Sequence, residues 1–288
     1  MAESWLHLIV HTRPANIDAV ANYLIERGAP GVVVKGHGLE AYFHRSGNDL
    51  ALKQSVQRYL HGFENLSGRG AKPHPQWKTI GAENWHESWR RFIKPARIGK
   101  SFWVTPPWLT PPKFRHRQVI TIEPGLAFGT GTHATTRGCM EFIEDVANRL
   151  AGSKFSALDV GTGAGILAIA LVKLGAQQVW AVDNDPVALE VARENFRINQ
   201  VTDHVHLSGV DLKALKKKFT LVVANLTAET ILELGQSLES KVASHGWLIL
   251  SGIMAPKADA ILRRFRGEFR LVRQKRGREW ATLLWQKN

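Results

Sequence analysis

An α/β fold, built on an open and mostly parallel sheet, is predicted for residues 117–288, and a small ferredoxin-like α+β domain for residues 1–80. Phe155 to Leu158 reads as a strand, Asp159-Val160-Gly161-Thr162-Gly163-Ala164-Gly165 as a glycine turn and Ile166 to Leu174 as a helix, the order of a nucleotide-cofactor site. Gln178 to Val182 reads as the next strand and leads into Asp183, at the distance from the glycines where a carboxylate meets ribose hydroxyls. The third observation is the order β-α-β-β-α-β within the first 80 residues, which predicts the smaller domain.

Trp5 to Thr12 is strand-like, and Ile17, Val20, Ala21 and Leu24 stand at helical spacing in a segment that runs to Arg27 and is closed by Gly28. Gly31 to Lys35 and Leu39 to His44 are β-rich runs around Gly36-His37-Gly38, a hairpin signal. A helix over Leu50 to Leu60 and a strand over Gln76 to Ile80 complete the domain, with the Gly- and Pro-rich stretch Gly68 to Pro75 as the loop between them. Residues 81–116 read as a connection. Within it, Trp85, Trp89, Phe92 and Ile93 mark an amphipathic helix over Asn84 to Ile98 whose large apolar anchors suit interdomain packing. Phe102-Trp103-Val104 and Pro106-Pro107-Trp108 follow as a short strand and a rigid turn.

Val119 to Ile122 is a strand, followed by Glu123-Pro-Gly-Leu-Ala-Phe128-Gly-Thr-Gly-Thr-His133-Ala-Thr-Thr136 and by a helix with Met140, Ile143, Ala147 and Leu150 on one face. The Gly-Thr repeat lacks the lysine of a phosphate loop, which excludes nucleotide triphosphate binding. Thr132, Thr135 and Thr136 are placed to cap the helix, and Thr136 is equally placed to touch a cofactor. The dinucleotide pattern G-x-G-x-x-G would need glycine at position 166, where Ile166 stands, so the glycine turn points away from NAD and FAD. Pro186 opens a helix that runs to Asn199, Val205 to Leu207 is a third strand, and Phe219 to Ala224 a fourth that ends in Asn225-Leu-Thr-Ala228. Ligands of an open α/β sheet bind beyond the carboxyl ends of its strands, so Asn225 should face the cofactor and the reacting group; its other available role is to cap a helix over Ala228 to Val242. A strand over Trp247 to Leu250, a helix over Pro256 to Phe265 and two strands, Phe269 to Lys275 and Trp280 to Trp285, close the domain.

The composition, 44% hydrophobic over 288 residues, is that of a globular protein with a proper core. The longest apolar region, Ala157 to Val172, is interrupted by Asp159 and by glycine and threonine, and the N-terminus lacks the basic and apolar regions of a signal peptide, so the cytoplasm is expected. Cys139 is the only cysteine, which rules out an intramolecular disulfide and thiolate zinc sites, and its place on an apolar helical face marks a packed thiol. The twelve histidines are scattered with no H-E-x-x-H pair, so no metal is expected. A formal charge of +13 attracts polyanions, and contact with RNA through a basic surface is one expression of it; Lys216-Lys217-Lys218 and Arg263-Arg264 with Arg266 lie beside predicted elements, where a solvated face also explains them.

Taken together, the stretches Glu123 to Thr136, Asp159 to Ala168, Asp183-Asn-Asp-Pro186 and Asn225-Leu-Thr-Ala228 resemble the bacterial ribosomal protein L-eleven methyltransferases. The resemblance extends to Trp85, Trp89 and Pro106-Pro107-Trp108, and to the plan and length of the N-terminal domain; Glu123 and Ala134 stand where the family usually has Asp and Pro. It implies a Rossmann-like class I methyltransferase domain, a mostly parallel seven-stranded sheet with an antiparallel strand. It also implies S-adenosylmethionine as methyl donor, S-adenosylhomocysteine as product, and transfer to lysine side-chain and N-terminal amines of a ribosomal protein held by the N-terminal domain. Carried over residue by residue, the cofactor contacts are Thr136, Gly161, Gly163, Asp183 and Asn225, with Asn225 the catalytic residue. Asn225 is followed by Leu-Thr and not by the Pro-Pro-Tyr of enzymes acting on glutamine amides or base amines, which argues against that chemistry. Two other readings share these features: a lysine methyltransferase of another soluble protein, and a basic RNA- or ribosome-binding protein with a vestigial cofactor fold.

Overall fold

The computed structural model describes residues 4–13, 16–35, 38–45, 49–66, 75–81, 94–110, 117–123, 131 and 133–288. They fall into two compact units, one drawn from Met1–Lys94 and the other from Pro95–Glu123 and Ala127–Asn288.

The first unit runs β1 (Ser4–His11), α1 (Ile17–Glu26), β2 (Val32–Lys35), β3 (Gly38–His44), α2 (Asp49–Leu66) and β4 (Gln76–Gly81). Its strands form an antiparallel sheet in the order β2-β3-β1-β4, the ferredoxin-like arrangement. Alternation along β1 and β3 turns Leu6, Leu8, Val10, Leu39, Ala41 and Phe43 into the core. Val20 and Leu24 of α1 and Val56 and Leu60 of α2 meet them, each pair at helical spacing.

The second unit opens on a small sheet of β5 (Ala96–Ile98), β6 (Phe102–Thr105) and β7 (Gln118–Thr121), with β5 antiparallel and β7 parallel to β6. The helix expected over Asn84 to Ile98 therefore fails at its C-terminal end; Trp85, Trp89, Phe92 and Ile93 lie outside the described residues. Pro95 accounts for the failure, because its ring disfavours helical geometry in the preceding residue and its nitrogen has no hydrogen to donate. Residues 96–105 thus belong to a sheet of the second unit and are not a bare connection.

Next come α3 (Ala134–Arg149), β8 (Phe155–Val160), α4 (Ile166–Lys173), β9 (Ala176–Val182), α5 (Pro186–Ile198), β10 (Val205–Ser208) and β11 (Phe219–Asn225). The unit ends with α6 (Ala228–Glu233), α7 (Gly235–Lys241), β12 (Val242–Met254), α8 (Ala258–Phe265), β13 (Phe269–Arg276) and β14 (Trp280–Lys287). The seven strands of the large sheet stand in the order β10-β9-β8-β11-β12-β14-β13, and β14 alone runs antiparallel to the rest. The single helix expected over Ala228 to Val242 is two, because Gly235 weakens a helix and Val242 already begins β12.

Alternate residues of each strand serve opposite faces. Ala157, Val179, Ala181, Leu221, Val223 and Ile249 pack under α3, α4 and α5, while Leu158, Val160, Val222, Ala224, Leu248 and Leu250 pack under α6, α7 and α8. Glu144, buried on α3, accepts backbone N–H bonds from Lys100 at 2.9 Å and Ser101 at 2.7 Å and so ties the β5–β6 turn to the helix layer.

Candidate functional site

β8 comes first among the strands of the large sheet, with β9 and β10 on one side of it and β11 and β12 on the other, so the strand order reverses between β8 and β11. Such a reversal opens a crevice beyond the carboxyl ends of the strands. Gly161, Asp183 and Asn225 stand there, one at the end of each of β8, β9 and β11.

The glycine turn is held from the β9 side. Gly161 and Thr162 donate their backbone N–H groups to the Val182 carbonyl at 2.9 and 3.1 Å. Gly163 donates to Asp183 Oδ2 at 2.8 Å, and Asp183 Oδ1 accepts from the Asp185 amide at 3.0 Å. The structure thus brings Gly161, Gly163 and Asp183 together as the sequence predicts.

Leu226 joins this group to the next one. Gly161 has φ +70°, and a Cβ there would lie 2.4 Å from Leu226 Cδ2; Gly252 has φ +80°, and a Cβ there would lie 2.3 Å from the Leu226 carbonyl oxygen and 2.9 Å from its nitrogen. The Leu226 amide donates to the Ser251 carbonyl at 3.0 Å, so the chain just after Asn225 is gripped on both sides. The two glycines differ in what an added methyl would displace, a swinging leucine tip in one case and backbone in the other. Gly252→Ala is therefore expected to destabilise the second unit by about 3 kcal/mol or more, and Gly161→Ala by about 1–2 kcal/mol. Denaturant unfolding of the two variants checks this, and equal losses would show that the Leu226 backbone yields easily.

Thr136 and Asn225, 89 residues apart, meet through a bond of 3.4 Å from Asn225 Nδ2 to Thr136 Oγ1. Neither is a helix cap. His133 caps α3 by accepting the Thr135 amide at 3.3 Å, with its ring edge-on to Trp280, so neither Thr135 nor Thr136 has the capping role the sequence allowed; Thr132 lies outside the described residues. Thr227 caps α6 by accepting the Thr230 amide, which leaves Asn225 to the crevice.

Sequence reasoning missed the behaviour of Asp159. Fully buried on the α4 side of β8, its Oδ2 accepts from the Thr162 hydroxyl at 2.7 Å and the Ala168 amide at 3.1 Å, whereas its Oδ1 has no hydrogen-bond partner among the described residues. Burial pushes its carboxyl up to about 7, opposed by those two hydrogen bonds and reinforced by the charge of Asp183. The available signal was an acid at the end of an otherwise apolar strand. Cys139 is buried, and desolvation pushes its thiol far above the usual range, so it is a packed thiol and no nucleophile.

Among the described residues no group of three or more His, Cys, Asp or Glu is placed to hold a metal ion, and no helix is long and apolar enough to cross a membrane. A seven-stranded sheet of this order and direction, with a glycine turn after β8 and an acid after β9, defines a Rossmann-like class I methyltransferase domain. Its helices and its one antiparallel strand stand where that class has them. The chain matches the model of the family "Ribosomal protein L11 methyltransferase (PrmA)" over residues 4–288, and it belongs to that family. The ribosomal protein L11 methyltransferase of Pelobacter propionicus is 33% identical over 305 residues, covering 100% of this chain and 99% of the relative. That of Trichlorobacter lovleyi is 35% identical over 280 residues, 91% of each chain. The crystal structure of a ribosomal protein L11 methylase from Lactobacillus delbrueckii subsp. bulgaricus superposes with a TM-score of 0.62 at 32% identity, covering 68% of this chain and 100% of that one.

Proposed function

We propose that the protein transfers methyl groups from S-adenosylmethionine to amines of ribosomal protein L11, lysine side chains and the N-terminal amine, up to trimethylation. Family membership supports the substrate. The observation that carries the chemistry is the pairing of Asn225 with Thr136 at the end of β11.

The residues present fit the cofactor. Gly161 and Gly163 adopt positive φ, which lets the chain turn sharply between β8 and α4, and the Asp183 carboxylate beside them suits ribose hydroxyls. Gly161, Gly163 and Asp183 would hold the nucleoside, with Thr136 and Asn225 on the side of the reacting group. When bound, S-adenosylmethionine supplies an electrophilic methyl group on a positively charged sulfur.

The attacking amine must be neutral. At pH 7 that costs roughly 4 to 5 kcal/mol for lysine and about 1 kcal/mol for an α-amine. A site beside a positive charge lowers the amine pKa further, so the chain's task is to position the amine more than to abstract its proton. Donation by Asn225 Nδ2 to Thr136 turns the amide so that Oδ1 is left as an acceptor. That oxygen would hold an N–H of the amine and aim its lone pair.

The ferredoxin-like unit is assigned to recognition of the ribosomal protein, and the cytoplasm, where that protein is made, to the reaction. The basic balance of the chain adds attraction to polyanions such as RNA. Ion pairs within the fold, Lys275 with Glu141, Arg273 with Asp145 and Arg264 with Glu239, leave that excess unchanged, because the acids are already counted in it.

Mass spectrometry of purified ribosomal protein L11 after incubation with this protein and S-adenosylmethionine tests the reading. Gains in multiples of one methylene on lysines and on the N-terminal residue are expected. An unchanged mass, with the cofactor bound, would sink the substrate assignment and leave the donor site standing.

A further inference from the structure

We propose that Asn195 is a positioning residue that sets the shape of the glycine turn, an inference that rests on the cofactor reading above. α5 turns Ala192, Asn195 and Phe196 inward at helical spacing, Asn199 follows as its C-cap, and both amides are buried. A buried amide costs free energy unless both its ends are bonded, and an apolar side chain would pack the same stripe without that cost. What Asn195 bonds accounts for its presence.

Asn195 Nδ2 donates to the Ala164 carbonyl inside the glycine turn at 2.9 Å, and Asn195 Oδ1 accepts the Glu123 amide, where the chain leaves β7, at 3.0 Å. The peptide unit two places earlier is held by a different element, through the bond from Gly163 N to Asp183. Two side chains, one after β9 and one on α5, thus clamp the turn on either side of the Gly163–Ala164 peptide. α5 also touches the turn directly, since a Cβ on Gly165 would lie 2.5 Å from Phe196 Cε1. Asn199 makes a useful contrast: it accepts the Thr121 amide at 2.9 Å and donates to the Thr121 carbonyl at 2.6 Å, and its bonds do not reach the turn. Releasing the Ala164 carbonyl frees the turn itself just before Gly165, whereas losing the Asn199 amide releases Thr121 of β7 and the Asn195 carbonyl at the end of α5.

The test is calorimetric titration of the full chain with S-adenosylhomocysteine, comparing the unsubstituted protein with N195A, N195D and N199A, alongside thermal midpoints. N195A is expected to weaken binding by about tenfold or more, and N199A by less than about twofold, although both lower the midpoint. N195D keeps the acceptor for Glu123 but points a charge at the Ala164 carbonyl. Its binding should be weak near about pH 8 and recover toward about pH 6, where a protonated carboxyl can donate again. Equal weakening in N195A and N199A, or an N195D affinity with the same pH dependence as the unsubstituted protein, would reduce Asn195 to a fold-holding residue and overturn the proposal. Failure of the unsubstituted protein to bind would overturn the cofactor reading and this inference with it.

Discussion

Replacing Asn225 with Ala is expected to lower kcat by about 10²-fold at saturating S-adenosylmethionine while changing the affinity for S-adenosylhomocysteine by less than about tenfold. Asn225 ends β11, half-buried, one residue before the Leu226 backbone that Gly161 and Gly252 grip, so its main chain has little freedom. Its side chain is oriented by Thr136, itself buried in the first turn of α3. An amide held in this way presents one acceptor in one direction, and alanine presents none. Thr136→Val removes the partner that sets the amide, with an expected loss of about tenfold in kcat. Because the two act as a unit, the double variant should be little worse than Asn225→Ala alone. Initial rates under saturating cofactor decide the matter. Full turnover by Asn225→Ala with normal cofactor binding would remove Asn225 from the mechanism.

The second large effect concerns stability and pH. Asp159 has its carboxyl raised to about 7 in the folded protein, against an ordinary value of about 3.9 in the unfolded chain. The folded state therefore holds the proton more tightly. Its stabilising contribution is complete below about pH 4 and is lost as pH rises toward 7, a span worth about 4 kcal/mol. In Asp159→Asn an amide oxygen can still accept from Thr162 and Ala168, but the new NH₂ falls where Oδ1 has no partner among the described residues, a cost of about 1–3 kcal/mol. The variant is expected to be the more stable protein at about pH 8, by about 1–3 kcal/mol, and the less stable one at about pH 4. Urea unfolding followed across that range checks the crossing. Stabilities of the two proteins that run parallel from about pH 4 to 8 would mean that Asp159 does not titrate in the folded state.

Much of the site was readable because it depends on neighbours in the chain. A strand, a turn that needs positive φ at Gly161, Gly163 and Gly165, and a helix are each specified within a few residues, and the glycines cannot be replaced there without strain. Asp183 was placed by counting to the end of the next strand. Local signals also conflicted. The aromatic periodicity from Trp85 onward suggests a helix running to Ile98, whose last residues Pro95 and the pairing of Ala96 with Val104 place in a strand instead, and Gly235 divides a helix that hydrophobic spacing carries through.

The helix cap of α3 was beyond local reading. Threonine is the commoner cap, and His133 takes the role with its ring packed against Trp280, 147 positions later in a different strand. Asn195 shows in the sequence as a polar break in an apolar stripe, but its partners lie 31 and 72 residues away.

The sequence by itself determined the two-part plan, the glycine turn and the acid after β9, because backbone geometry and periodicity act over short spans. Tertiary structure alone decided that Asn225 meets Thr136, that Leu226 is gripped between two turns, and that Asp159 titrates near neutrality. Those properties follow from burial and from contacts between distant segments, which exist only once the sheet has assembled.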